Sequence, residues 1–291
     1  MHEALQDTTG EGRRSAFRLA GYEFTVTCCS DEIADVIGSL FAGCRAEHVT
    51  PHADAYEIRS ARRSDGAVVE LRDRGKGLAR GSAGMVIDRL IWETSSRSFA
   101  HGAFVFVHAG VAALDGIGVM LPGGPDHGKS TTVAGLVRAG FDFLSDEAAV
   151  LDMNDGTLRC FPRPMTLSES SMDALPGLRG QLPARYDAFR SDEHRMAPGD
   201  LRPGAVGTTC RPAFIVAPAY REGEETRLEP MGRPDTLRLL VEQSFNLARF
   251  GGDGFRFLAG VVRRAECYRL TIGDLPAAVR AVRGLFDGAD A

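Results

Sequence analysis

The chain is almost without lysine: Lys76 and Lys129 are the only two among 34 basic residues, and the other 32 are arginines. Tryptophan is scarcer still, with Trp92 alone. Long apolar runs are missing too. The most apolar stretch, Phe99 to Pro122, is broken by His101, His108 and Asp115. It falls short of the roughly 18 uninterrupted residues that a membrane-spanning helix requires. The first fifteen residues, MHEALQDTTGEGRRS, have no apolar core, so no signal peptide is expected there. The six cysteines (28, 29, 44, 160, 210 and 267) include no CxxC pair. That spacing argues against a thiol metal site and for reduced thiols in a cytoplasmic protein. An excess of positive charge is also lacking. With 34 basic against 39 acidic residues the net charge is −5, so neither nucleic acid nor an anionic membrane is an expected partner.

What is present is the composition of a folded chain, 44% hydrophobic and 25% charged over 291 residues, enough for one large or two modest domains. Residues 1 to about 15 read as an irregular lead. Tyr22, Phe24, Val26 and Cys28 then alternate with polar residues, which predicts a half-buried strand. Ser30 is placed to cap a helix carrying Ile33, Val36, Ile37, Leu40 and Phe41. Two strand-like runs, Tyr56–Arg59 and Ala67–Leu71, flank the hairpin pair Asp65-Gly66. Ser82 opens a second helix with Ile87, Leu90 and Ile91 on one face. These elements predict a small α+β N-terminal domain over residues 1–98, a candidate for acceptor recognition.

The character changes after Ser98. Ala103–Ala113 and Ile117–Leu121 are strand-like, and Leu121 leads straight into a glycine-rich loop and a helix stopped by Gly140. Leu175–Val206 is rich in Arg, Pro, Gly and acidic residues, which predicts a mobile loop in which Arg179, Arg185, Arg190 and Arg195 close over substrate. Order resumes with a strand at Ala213–Pro218, helices around Leu237–Phe245 and Phe255–Val262, a strand at Cys267–Thr271 and a last helix capped by Asp274.

The loop carries the chemistry. Gly123-Gly124-Pro125-Asp126-His127-Gly128-Lys129-Ser130 fills every fixed position of the phosphate-binding pattern G-x-x-x-x-G-K-[ST]. Glycines let consecutive N–H groups turn inward at phosphate oxygens, and the helix that starts there, with Thr131 in its first turn, adds its positive end. Lys129 is expected to reach the β- and γ-phosphates, and the Ser130 hydroxyl to sit on Mg²⁺. In a chain that otherwise uses arginine, a compact ammonium stands where a planar guanidinium would not fit. No Asn-Lys-x-Asp motif is present, which removes the GTPase class, and no LSGGQ sequence points to a transporter ATPase. Asp146 and Glu147 follow Lys129 by seventeen and eighteen residues, at the end of the next strand. Two carboxylates there can divide the work of holding metal and accepting a proton. His108 lies on the strand before the loop. Arg163 and Arg211 are the arginines best placed to add positive charge.

His108-Ala109-Gly110, the loop, Leu144-Ser145-Asp146-Glu147 and Phe161-Pro162-Arg163-Pro164 together resemble the HPr kinase/phosphorylase superfamily, and most of all its smaller relatives that phosphorylate precursor peptides, lasso precursors among them. The resemblance covers residues 100–290. It implies an α/β fold in which residues 99–291 form a phosphate-loop kinase core of HPr kinase/phosphoenolpyruvate carboxykinase type, with ATP and Mg²⁺ as cofactors. It also implies roles: Asp146 as the base for a serine hydroxyl of a peptide or protein acceptor, His108 tuning that base, Lys129 on phosphate, Ser130 and Glu147 on Mg²⁺. The family's acidic pair is usually Asp-Asp, so Glu147 is one methylene longer. The signature used for phosphorolysis is not found. A homo-oligomer is the expected assembly. Two other classes share the loop: a nucleotide-sensing scaffold, which needs no base, and a small-molecule kinase.

Overall fold

The alternation of Tyr22, Phe24, Val26 and Cys28 builds a strand with all four side chains buried. In the computed structural model, which describes residues 12–63, 66–184, 186 and 193–288, this strand belongs to a five-stranded sheet. β1 (Arg13–Leu19), β2 (Tyr22–Cys28), β3 (Asp54–Arg63), β4 (Gly66–Asp73) and β5 (Lys76–Gly81) lie side by side in chain order. β2 and β3 run parallel and the other neighbours antiparallel. The crossover that a parallel pair demands is supplied by α1 (Asp31–Leu40), and α2 (Ala83–Ser98) follows β5. Both helices start where expected. Ser30 Oγ accepts from the Ile33 N–H and Ser82 Oγ from that of Met85.

β1 corrects the irregular lead expected up to residue 15. It is an edge strand whose arginines 13, 14 and 18 hide the pattern, although Phe17 and Leu19 alternate into the core. Residues 1–11 and Asp65, half of the expected hairpin turn, lie outside the described residues.

The second sheet begins with β6 (Phe104–Leu114) and β7 (Ile117–Pro122), turns at Asp115-Gly116 in left-handed backbone, and then passes through α3 (Lys129–Arg138). β8 (Asp142–Ser145), β9 (Ala148–Asp152) and β10 (Leu158–Arg159) follow. β11 (Met165–Leu167), α4 (Glu169–Asp173), β12 (His194–Met196) and α5 (Pro198–Leu201) form a side layer in which β11 and β12 pair with each other. The chain re-enters the sheet as β13 (Thr209–Tyr220) and β14 (Arg227–Pro230). It then runs through α6 (Arg233–Glu242), α7 (Gly251–Arg264), β15 (Glu266–Ile272) and α8 (Leu275–Gly284). The order across the sheet is β10-β9-β6-β7-β13-β15-β14, with β8 also on β6. β7, β13 and β15 are parallel, and β6 is antiparallel to β7.

Period two along β6 sorts its faces. Val105, Val107, Ala109, Val111 and Ala113 pack with Leu240, Leu258, Val261 and Val262 of α6 and α7. Phe106 and Ala112 belong to the cluster that includes Val133 and Val137 of α3 and Val282 of α8. Helices therefore cover both faces, which explains why β6 reads as a nearly continuous apolar run. His108 and Gly110 share the parity of the α3 face. The architecture is mixed α/β, and no helix among the described residues is long and apolar enough to cross a membrane.

The segment Leu175–Val206 is not wholly the loop its composition predicts. Its apolar residues are irregularly spaced, yet Leu175, Leu178, Tyr186, Met196 and Leu201 are each buried. Arg195 lies in β12, buried and ion-paired with Asp88 of α2, and Arg179 is paired with Glu169 and Asp173. Neither is a free loop arginine. Arg185 and Arg190 lie outside the described residues.

Candidate phosphate-loop site

β7 ends buried at Pro122, and the chain must turn back over the sheet to start α3. Gly123 is buried and Gly124 half-buried, while Pro125, Asp126 and His127 form an exposed tip. Asp126 and Gly128 take left-handed backbone, with φ of +61° and +87°. Glycine does so freely, and aspartate tolerates it better than most residues. Such alternation aims successive N–H groups at one point, an anion-binding nest. α3 begins at Lys129 with no side-chain cap, so its first N–H groups face the same space. Lys129 is only 6% exposed, and its Nζ donates to the Gly124 carbonyl at 2.6 Å. Burial lowers its pKa, while Glu147, Asp146 and Asp126 favour its charge. Ser130 is half-buried beside it. Thr131 Oγ1 shares a 2.7 Å hydrogen bond with Ser171 Oγ of α4.

Asp146 and Glu147 directly follow the end of the next strand, β8, as expected from the sequence. β8 and β9 are two halves of one run along β6: Val111 pairs with Ser145 and His108 with Ala148. Asp146 and Glu147 are the break between them, two residues facing Gly110 and Ala109 in unshifted register, and the register shift along β6 comes before them, at Leu144. Ser145 Oγ holds this break by accepting the N–H groups of Glu147 at 3.1 Å and Ala148 at 2.9 Å. The Ala109 N–H donates to the Glu147 carbonyl at 3.1 Å. Because β6 also pairs with β7, Ala109 lies opposite Pro122, and the Gly123 N–H reaches the His108 carbonyl at 3.3 Å. Pairing along β6 thus puts both acids one strand away from the start of the loop.

Their environments differ. Asp146 is 1% exposed, and neither carboxylate oxygen has a hydrogen-bond partner. Arg163 Nη2 stands 3.8 Å away, an ion pair too long for a hydrogen bond. Burial pushes the Asp146 carboxyl up to about 6, against the pull of Arg163 and with the help of Glu147. Burial also works against charge on Glu147, but Arg163, His108 and Lys129 hold its carboxyl below the ordinary glutamate range. Glu147 accepts from Arg163 Nη2 at 2.7 Å and lies 3.9 Å from His108 Nε2. Burial and then the Lys129 charge lower the His108 pKa, which favours a neutral ring even beside Glu147.

Of the two candidate arginines, the fold brings in one. Arg163 is buried on the turn after Phe161, whose N–H is anchored on the Leu144 carbonyl at 2.7 Å. Arg211 opposes Ile117 at the start of β7, five residues and roughly 17 Å from the loop end. It is too remote to touch phosphate. Phe245, stacked on Phe99 at 4.3 Å and packed against His108 at 5.4 Å, borders the site without any local sequence signal. Ser145 could have been found, since a serine two residues before an N–H it can accept is a known turn former.

Among the described residues no group of three or more His, Cys, Asp or Glu side chains could hold a metal ion. The Asp146 oxygens, which accept no side-chain hydrogen bond, beside Glu147, suit a cation that arrives with phosphate. No protein-family model matches the chain, and no curated protein matches it.

Proposed function

We propose that this chain is an ATP- and Mg²⁺-dependent phosphotransferase acting on a serine hydroxyl of a peptide or protein, on a phosphate-loop core of HPr kinase type. One observation carries the reading. A phosphate loop with its lone lysine and a buried carboxylate that no side chain hydrogen-bonds meet across a single strand, β6, which carries His108. Phosphoryl transfer asks little covalent chemistry of a protein, mainly positioning and charge neutralisation. Lys129 and the loop N–H groups would take the phosphate oxygens. Mg²⁺, when bound with the nucleotide, would spread charge over the β- and γ-phosphates, with Ser130 and Glu147 as the residues to hold it. Asp146, raised to about 6, is ionised at neutral pH and ready to accept the hydroxyl proton on an Oδ atom. Arg163 and Lys129 keep Glu147 charged beside it.

The buried Asp146 favours a kinase over a nucleotide sensor: burial raises its carboxyl to about 6. A sensor needs the loop and no base. The acceptor class is tested by following ATP consumption over a panel of peptides, proteins and metabolites, precursor peptides included, with phosphosites mapped by mass spectrometry. Lys129→Ala should weaken Mg·ATP binding and abolish transfer, because the loop loses its only cation. Unchanged affinity in calorimetric titration together with unchanged turnover would overturn the assignment.

A further inference from the structure

Beyond the phosphates, something has to receive the base of the nucleotide, and the sheet order says where. Counting outward from β7, the acids lie on the β6 side, while β13 and then β15 lie on the other. A nucleotide whose terminal phosphate meets Lys129 and the acids must run its nucleoside toward the ends of β13 and β15. Ligands of parallel strands collect beyond their C-terminal ends. The last residue of β13 is Tyr220, an aromatic side chain 50% exposed. A Cβ placed on Gly128 would stand 3.4 Å from Ile272 Cδ1 and 3.7 Å from Tyr220 Cβ, so the tyrosine borders the loop itself.

We propose that Tyr220 is the stacking platform for the nucleotide base, with the buried Ile272 side chain beneath the junction of platform and loop. The proposal rests on the phosphate-loop reading above and adds the base subsite to it.

The platform is held in place before any ligand arrives. Tyr220 pairs with Ile272 in the β13–β15 ladder, and the Arg221 N–H donates to the Ile272 carbonyl at 2.9 Å. The return loop is pinned to the end of β15. Thr226 Oγ1 accepts from the N–H groups of Gly273 at 3.0 Å and Asp274 at 3.1 Å. Gly273 lets the loop approach so closely that a Cβ there would meet the Glu224 carbonyl oxygen at 1.7 Å. A ring on fixed backbone loses little freedom when a base stacks on it. Every base has a π-face, so this platform selects for a nucleoside over bare phosphate and not for one purine over another.

The test compares two ligands on three variants by calorimetric titration in the presence of Mg²⁺. The ligands are ATP and inorganic tripolyphosphate, which has the phosphates and no base. Tyr220→Ala should weaken ATP by roughly 5- to 150-fold, the worth of one aromatic–base stack, and leave tripolyphosphate unchanged. Tyr220→Phe should bind both like the parent. An unchanged ATP affinity for Tyr220→Ala overturns the platform. So does an equal loss for tripolyphosphate, which would mean that Tyr220 only shapes the loop. Lys129→Ala should weaken both ligands. If it weakens neither, the phosphate-loop reading itself fails, independently of Tyr220.

Discussion

Asp146 is where the site is most exposed to pH. Its folded-state carboxyl lies near 6, above the 3.8 of a free side chain, so the folded state binds the proton more tightly than the unfolded one. Stability therefore falls as pH rises from about 4 to 6 and stays at the lower level above that. Activity runs the other way, since a base must be ionised. Under the proposed mechanism kcat/KM should show an acid limb with a midpoint near 6. Arg163 is the cation that restrains this pKa, so Arg163→Gln should move the limb to higher pH. Asp146→Asn separates the two effects. Turnover should fall by about 10²–10⁴-fold, the usual worth of a general base, while thermal stability at pH 8 rises, by up to roughly 3 kcal/mol. The gain should vanish near pH 4. A lower Tm at pH 8 would show that the Arg163–Asp146 attraction outweighs burial, and retained turnover would remove Asp146 from catalysis.

At the scale of elements, the position of the loop depends on how closely α3 lies on β6. Gly110 makes the approach possible: a Cβ there would stand 2.6 Å from Val133 Cγ2, closer than carbon atoms pack. Gly110→Ala should lift the start of α3 off the sheet, cost about 1–3 kcal/mol of stability as overpacking does and weaken Mg·ATP binding. Adding Val133→Ala removes the clashing methyl groups and should restore part of both, a coupling that thermal melts and titrations of the double mutant will reveal. Additive losses would mean that Gly110 matters for some other reason. This contact marks what the sequence does and does not disclose. The strand, loop and helix around the lysine are legible because each rests on local rules: a short continuous apolar run on β7, left-handed glycine in the turn, and Gly140 with φ +106° after the helix. The placement of Asp146 and Glu147 one strand from the loop is not, because it depends on pairing with β6, whose Ala109 N–H donates to the Glu147 carbonyl. Arg211 and Arg195 mislead for the same reason. Their charge is visible in the sequence, but the strand register that sends one to the far end of β7 and buries the other against Asp88 is not.

On the scale of the whole molecule, the N-terminal sheet reaches the site through the short segment Phe161–Pro164. Cys44 Sγ donates to the Pro162 carbonyl at 3.1 Å, and a Cβ on Gly43 would stand 2.8 Å from Pro162 Cβ. The next residue is Arg163, the partner of both acids. A second tie, Asp88 to Arg195, crosses from α2 to β12. One buried apolar cluster runs through both parts, from Phe17 and Leu90 to Phe106, Val133 and Val282. A molecule joined in this way should melt in a single calorimetric transition, since exposing one face of the cluster exposes the other. It should also transmit a change across the junction. Gly43→Ala, on the turn after α1 and outside the site, forces Pro162 to shift and with it the backbone of Arg163. Less Arg163 charge near Asp146 raises that carboxyl further, so the acid limb of kcat/KM should move to higher pH, as for Arg163→Gln but by less. ATP affinity should stay near that of the parent, because the loop and Tyr220 lie on the far side of β6 from the shifted segment. A limb that stays in place while Tm falls would confine Gly43 to packing. A limb that moves would make the N-terminal sheet part of what sets the base.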